Sequence, residues 1–165
     1  MNALLEPLIA ALRDELQQYG EMLALFDQQQ ELVVAREPQA LLDNVAAINA
    51  QTAVMAVARR EREKHQRTAV QACQLPAAAG FQELLPTLPN EYRLLIGALV
   101  DENNQCLRRI RQRGGQNQLL LSRSMQLMQR LLGTLLAATQ TTTYQGDGRV
   151  AVAVATGRPL CDATG

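Results

Sequence analysis

The residues that could do chemistry in this sequence are few and poorly placed for it. The only histidine, His65, lies in the run RREREKHQR (residues 59–67), with Glu61 four positions earlier. On a helix that spacing gives one imidazole beside one carboxylate, a common surface pair too sparse for a metal site or a general base. Cys73, Cys106 and Cys161 are an odd number at wide spacings. They support neither a disulfide framework nor a zinc site, and they point to a reducing compartment. Gly114-Gly115 sits inside a helical pattern and lacks the Lys-Ser/Thr that completes a phosphate loop. The basic cluster RRIRQR, with Arg108, Arg109, Arg111 and Arg113, has no interleaved aromatics and has Asp101 and Glu102 within two turns. It reads as a solvated helix face, and an RNA-binding bundle is the weakest of the readings it allows. No enzyme, cofactor, metal or nucleic-acid partner is expected.

Composition points to helices. Of 165 residues 47% are apolar, yet aromatics are only 3% and tryptophan is absent. Alanine, leucine and glutamine dominate, all at ease in helices. Sixteen basic and sixteen acidic residues cancel, so no net field draws nucleic acid or an acidic membrane. The start, with Glu6 and Pro7, does not resemble a signal peptide. No stretch reads as apolar enough to span a bilayer, which leaves the cytoplasm as the expected location and no stable membrane insertion.

The pattern predicts an all-α protein, an elongated antiparallel bundle or coiled coil of three long helices plus one short helix. The first helix, over 2–33, carries the 4-3 row Leu5, Ile9, Leu12, Leu16, Tyr19, Leu23, Phe26, Gln30 and Val33. Pro38 starts the second, which should fold back antiparallel to about Cys73. Its row begins Leu41, Val45, Ile48, Thr52, Met55 and continues as Arg59, Arg62, Gln66. The core should thin there, and 59–67 should be an exposed helix tip. Pro76, Gly80, Pro86 and Pro89 exclude a long helix, and Phe81, Leu84 and Leu85 suit a short plug. One long helix follows from Asn90 to about Thr139, through Gly114-Gly115. Residues 1–139 form the bundle and 140–165 a tail, flexible or docked, containing the weakly alternating VAVAVA.

The most apolar window is Asn117 to Leu136 in that last helix. At about 100° per residue, Leu120, Leu121, Met125, Leu127, Met128, Leu131, Leu132, Leu135 and Leu136 cover an arc of roughly 180°. That is about twice the width of a two-stranded seam. Two readings stand open: the surplus is buried by the chain's own helices, or part of it takes the amphipathic helix of another protein. On the second reading Leu120, Met125, Leu127, Met128, Leu131 and Leu135 carry the contacts, with Val150 to Val154 shielding them in the free state. The alternative is a structural or adaptor coiled coil, a homodimer that buries the face entirely and has no client groove.

The amphipathic first helix, the Pro-initiated second helix with Leu41-Leu42, the N-x-L-L-L-x-x-S-x-x-L run from Asn117 to Leu127, and Thr143, Tyr144 and Gly148 together resemble the FlgN family of flagellar export chaperones. The resemblance covers residues 3–148. It implies a cytoplasmic, non-enzymatic protein, monomer or homodimer, that holds hook-filament junction proteins and presents them to components of the flagellar type III export apparatus. In the family the client-binding region is the C-terminal helical part, which coincides with the broad face here.

Overall fold

The computed structural model describes residues 2–138, with side chains from Leu4 to Thr134. Its elements are α1 (Asn2–Ala35), α2 (Pro38–Ala72), the single turn α3 (Phe81–Leu84), a 3-10 turn over Leu85–Thr87, and α4 (Asn90–Ala138). This is the expected all-α class of three long helices and one short one, with no strand among the described residues. The tail from residue 139 lies outside them.

Local chemistry sets the boundaries. Arg36 takes a left-handed φ of 58°, and the Glu37 amide reaches back to Leu32 O at 3.2 Å, closing α1 before Pro38 opens α2. The same device ends α2, with Gln74 at φ 56° and Leu75 N–H donating to Val70 O at 3.1 Å. Glu83 accepts the Gly80 amide at 2.8 Å and starts α3. α4 runs unbroken through Gly114-Gly115. A Cβ at Gly114 would stand 3.4 Å from Phe26 Cζ, so glycine there lets α4 lie close against α1.

The chain divides into two units between Ser124 and Met125. In the first, Asn44 bonds to Leu25, Gln51 to Gln18 and Arg62 to Glu15, so α2 runs antiparallel to α1. Asn103 Nδ2 donates to Leu12 O at 3.0 Å and Asn117 Nδ2 to Phe26 O at 2.8 Å, each pair 91 residues apart. α4 therefore runs parallel to α1 in constant register.

The central helix is α1. The expected row is inside, and a second row, Leu8, Glu15, Met22 and Gln29, is buried as well. Burial at three positions per heptad means two partners, α2 on one side and α4 on the other. The main core gathers Leu5, Leu8, Ile9 and Leu12 of α1 with Ala69 and Val70 of α2, Leu84 and Leu88 of the plug, and Ile96 and Leu99 of α4. The expected plug is real, and Leu84 is fully buried.

Two expectations about α2 are corrected. Residues 59–67 are not an exposed tip, because the core resumes beyond them at Ala69 and Val70. Arg62 is drawn inward there: its Nε lies 3.0 Å from Glu15 Oε2, an Nη donates to Gln66 Oε1 at 2.7 Å, and its Cζ sits 5.9 Å from the Phe81 ring centre. The expectation that no stretch is apolar enough for a bilayer also fails on composition. α2 holds an 18-residue window of mean hydropathy 1.3, of which 6% is buried in the fold. Its inward face nonetheless makes the polar contacts of Asn44 and Gln51 with α1.

Glu15 also accepts a hydrogen bond from Tyr19 Oη at 2.8 Å. Burial and then the bond to the Glu15 carboxylate push the Tyr19 pKa up to about 12, from an ordinary 10.0. An unfolded tyrosine loses its proton near pH 10 while folded Tyr19 keeps it, so its contribution to stability is full below pH 10 and is lost as pH rises toward 12. Absorbance of tyrosinate should show a group titrating at about pH 12 that vanishes in Tyr19→Phe. A wild-type chain whose tyrosines all titrate near pH 10 would refute this account.

Candidate protein-binding surface

The six residues expected to make contacts fall on both sides of the unit boundary. In the first unit the α4 face that meets α1 carries Ile96, Leu99, Asn103, Cys106, Ile110, Asn117, Leu120 and Ser124, all buried or half-buried. Leu120 thus belongs partly to the packing of the bundle. The register of 91 sets Val33 level with Ser124, and α1 ends two residues later at Ala35. The supply of α1 side chains ends there.

In the second unit the sequence supplies one helical arc with leucine and methionine. Met125, Leu127, Met128, Leu131 and Leu132 are 54–64% exposed. Five large apolar side chains on one helical arc, all open to water, carry an unfavourable free energy of hydration that a partner's apolar surface would relieve. Methionine's unbranched thioether adapts to differently shaped partners. Within the same stretch of helix the Thr134 hydroxyl donates to Leu131 O at 2.8 Å. The Leu135 side chain and the Val150–Val154 segment lie outside the described residues.

The remaining candidates lose their chemistry in the fold. His65 is half-buried rather than exposed, and Glu61 pairs with Lys64 at 3.2 Å. Cys73 and Cys106 are free and half-buried, Cys106 on the α4 row as a small packing residue. No group of three or more metal-ligating side chains occurs among the described residues. Arg113 turns toward α1, 3.5 Å from Asp27 Oδ1, while Arg108, Arg109 and Arg111 are exposed. A cleft of about 330 Å³ in the first unit is lined by Glu15, Tyr19, Arg59, Arg62, Phe81 and Asn103 among others. Glu15, Tyr19, Arg62 and Gln66 bond one another there, and Asn103 donates to the backbone of Leu12 and Leu99.

Asn117, which opens the N-x-L-L-L run, is 2% exposed. Its amide bonds Phe26 O and Gln29 Oε1, and its Oδ1 accepts from Gln30 Nε2 at 2.7 Å. Its role in the N-x-L-L-L run is therefore to fasten α4 to α1 immediately before the exposed arc.

Residues 1–151 match the family model described as FlgN protein. The chain belongs to the FlgN family. As a FlgN protein it falls among flagellar export chaperones, which bind flagellar export substrates and are not an enzyme family. No curated protein matches this FlgN chain, and no solved structure does. Exposed apolar residues outside those expected from this FlgN sequence include Leu94 and Leu95 early in α4, and Leu42, Val54 and Val57 on α2. The hydropathy of α2 was the available signal for the latter three.

Proposed function

We propose that this chain is a cytoplasmic chaperone that holds hook-filament junction proteins by their amphipathic terminal helices and delivers them to the flagellar type III export apparatus. The observation that carries the proposal is the exposed leucine and methionine arc from Met125 to Leu132, in a chain of the FlgN family. An unassembled junction protein has apolar helix faces that self-associate, and a helix with an open apolar arc covers them reversibly. Leu120, Met125, Leu127, Met128, Leu131 and Leu135 are the contact residues in this reading. Leu131, 63% exposed, tests it, since its replacement by aspartate leaves the bundle core untouched. Leu131→Asp should lose a co-expressed junction protein on affinity purification while circular dichroism stays helical. Retention of the client at wild-type yield would defeat the proposal.

A further inference from the structure

α2 carries a second heptad row that the bundle does not use. Asp43, Ala46, Ala50, Ala53, Val57, Arg60 and Lys64 repeat at 3-4 spacing, and every one is exposed. Leu42 and Val54 flank the row at 64% and 45% exposure. Between Asp43 and Arg59 the sequence has no charge at all. The row is therefore an uncharged seam of small and branched apolar residues, acidic at its N-terminal end and basic at its C-terminal end.

Those ends select the occupant. We propose that this face pairs antiparallel, about a two-fold axis, with the same face of a second copy of the chain. An isologous contact requires a surface complementary to itself. With the axis between Ala50 and Ala53, Ala50 meets the partner's Ala53, Ala46 meets the partner's Val57, Asp43 meets the partner's Arg60, and Gln39 meets the partner's Lys64. The alternation of a and d positions in this register is that of an antiparallel coiled coil. A parallel pair would instead set Asp43 against Asp43 and Arg60 against Arg60, which like-charge repulsion opposes. Alanine at the centre lets the two helix axes approach to about 8 Å, the close end of the usual range.

The seam from Leu42 to Val57 is roughly 22 Å long at 1.5 Å per residue, a single helix face. Such a contact belongs to the small, transient class of interfaces below about 1,200 Å², so association is weak, on the order of 10–100 μM. The inference stands apart from the chaperone reading, because it uses none of the α4 arc.

Sedimentation equilibrium of the full chain, from about 1 to about 500 μM to bracket so small an interface, tests it. The weight-average mass should rise from monomer toward dimer. Ala50→Arg should remain monomeric at every concentration with unchanged circular dichroism. Asp43→Arg and Arg60→Asp should each weaken association about tenfold by placing like charges together twice per dimer. The double variant D43R/R60D should recover wild-type association. A wild-type chain that stays monomeric, a dimer that survives Ala50→Arg or is lost instead in Leu131→Asp, or a double variant as weak as the singles would each overturn the pairing.

Discussion

Replacing Arg62 by alanine destabilises the bundle by about 3–5 kcal/mol, the cost of stranding a buried charge. Glu15 is 3% exposed on the row of α1 that both neighbouring helices cover. Arg62 Nε at 3.0 Å is the cation that faces it, and Tyr19 Oη at 2.8 Å supplies one more donor. Truncation at 62 leaves that carboxylate with the tyrosine alone in a site that water reaches poorly. It also removes the guanidinium from the Phe81 ring and from Gln66. Against a total stability of about 5–15 kcal/mol for a domain, the loss is a large fraction. Urea denaturation at neutral pH reads it directly. A change below about 1 kcal/mol would mean that solvent screens the pair as it does at a surface.

Two companion variants separate the charge from the packing. Arg59 bonds Glu63 at 3.0 Å with 61% of its side chain exposed, so Arg59→Ala should cost less than about 1 kcal/mol. Glu15→Leu with Arg62→Met removes both charges and keeps the volume, and such exchanges are often neutral or stabilising by about 1–4 kcal/mol. A double variant near wild type beside a crippled single one is the signature of a stranded carboxylate. The pair then serves register: it fixes the sliding position of α2 on α1, as Asn44 and Gln51 do elsewhere along the same contact.

This inversion explains where the sequence misled. Proline and helix-forming composition made the elements legible, and α4 could be followed through Gly114-Gly115 because its 3-4 spacing never slipped. The α1 row was legible for the same reason, but its second row hid Glu15 and Gln29 among apolar Leu8 and Met22. On α2 the usual rule fails. Asn44 and Ala58 are buried, Gln51 and Arg62 are partly so, while Leu42, Val54 and Val57 face water. The 3-4 row read along α2 therefore took in Thr52 and Arg59, which are exposed, along with Arg62 and Gln66, which are half-buried, and passed over Gln51, one position from Thr52. The width of the α4 arc did carry information, since Met125, Leu127, Met128 and Leu131 are open to water. Where that arc begins was hidden, because Leu120 becomes half-buried only through the length of α1 and its register on α4.

Leu84→Ala should cost about 2–5 kcal/mol, the range for deleting a fully buried leucine side chain. The argument rests on how little else holds the plug. α3 is four residues long and the 3-10 turn after it three, and a single turn of helix has no stability of its own in water. The segment stays in place because Leu84 and Leu88 enter the core shared by all three long helices, with Phe81 and Leu85 packed beside them. Its internal fastenings are few, among them Thr87 Oγ1 donating to Leu84 O at 2.7 Å. Alanine at 84 opens a cavity against that core and frees a segment bounded by Pro76 and Pro89 to move away from it. Gln82→Ala, on the exposed side of the same turn, should change stability by less than about 0.5 kcal/mol. Denaturant midpoints of the two variants make the comparison. The functional arc gives a second readout, because Met125 to Leu132 owes its exposure to nothing in this core. Below its lowered midpoint, Leu84→Ala should still capture a junction protein, whereas Leu131→Asp should fail to do so while fully folded. Client loss in Leu84→Ala under folding conditions would place recognition in the body of the bundle instead.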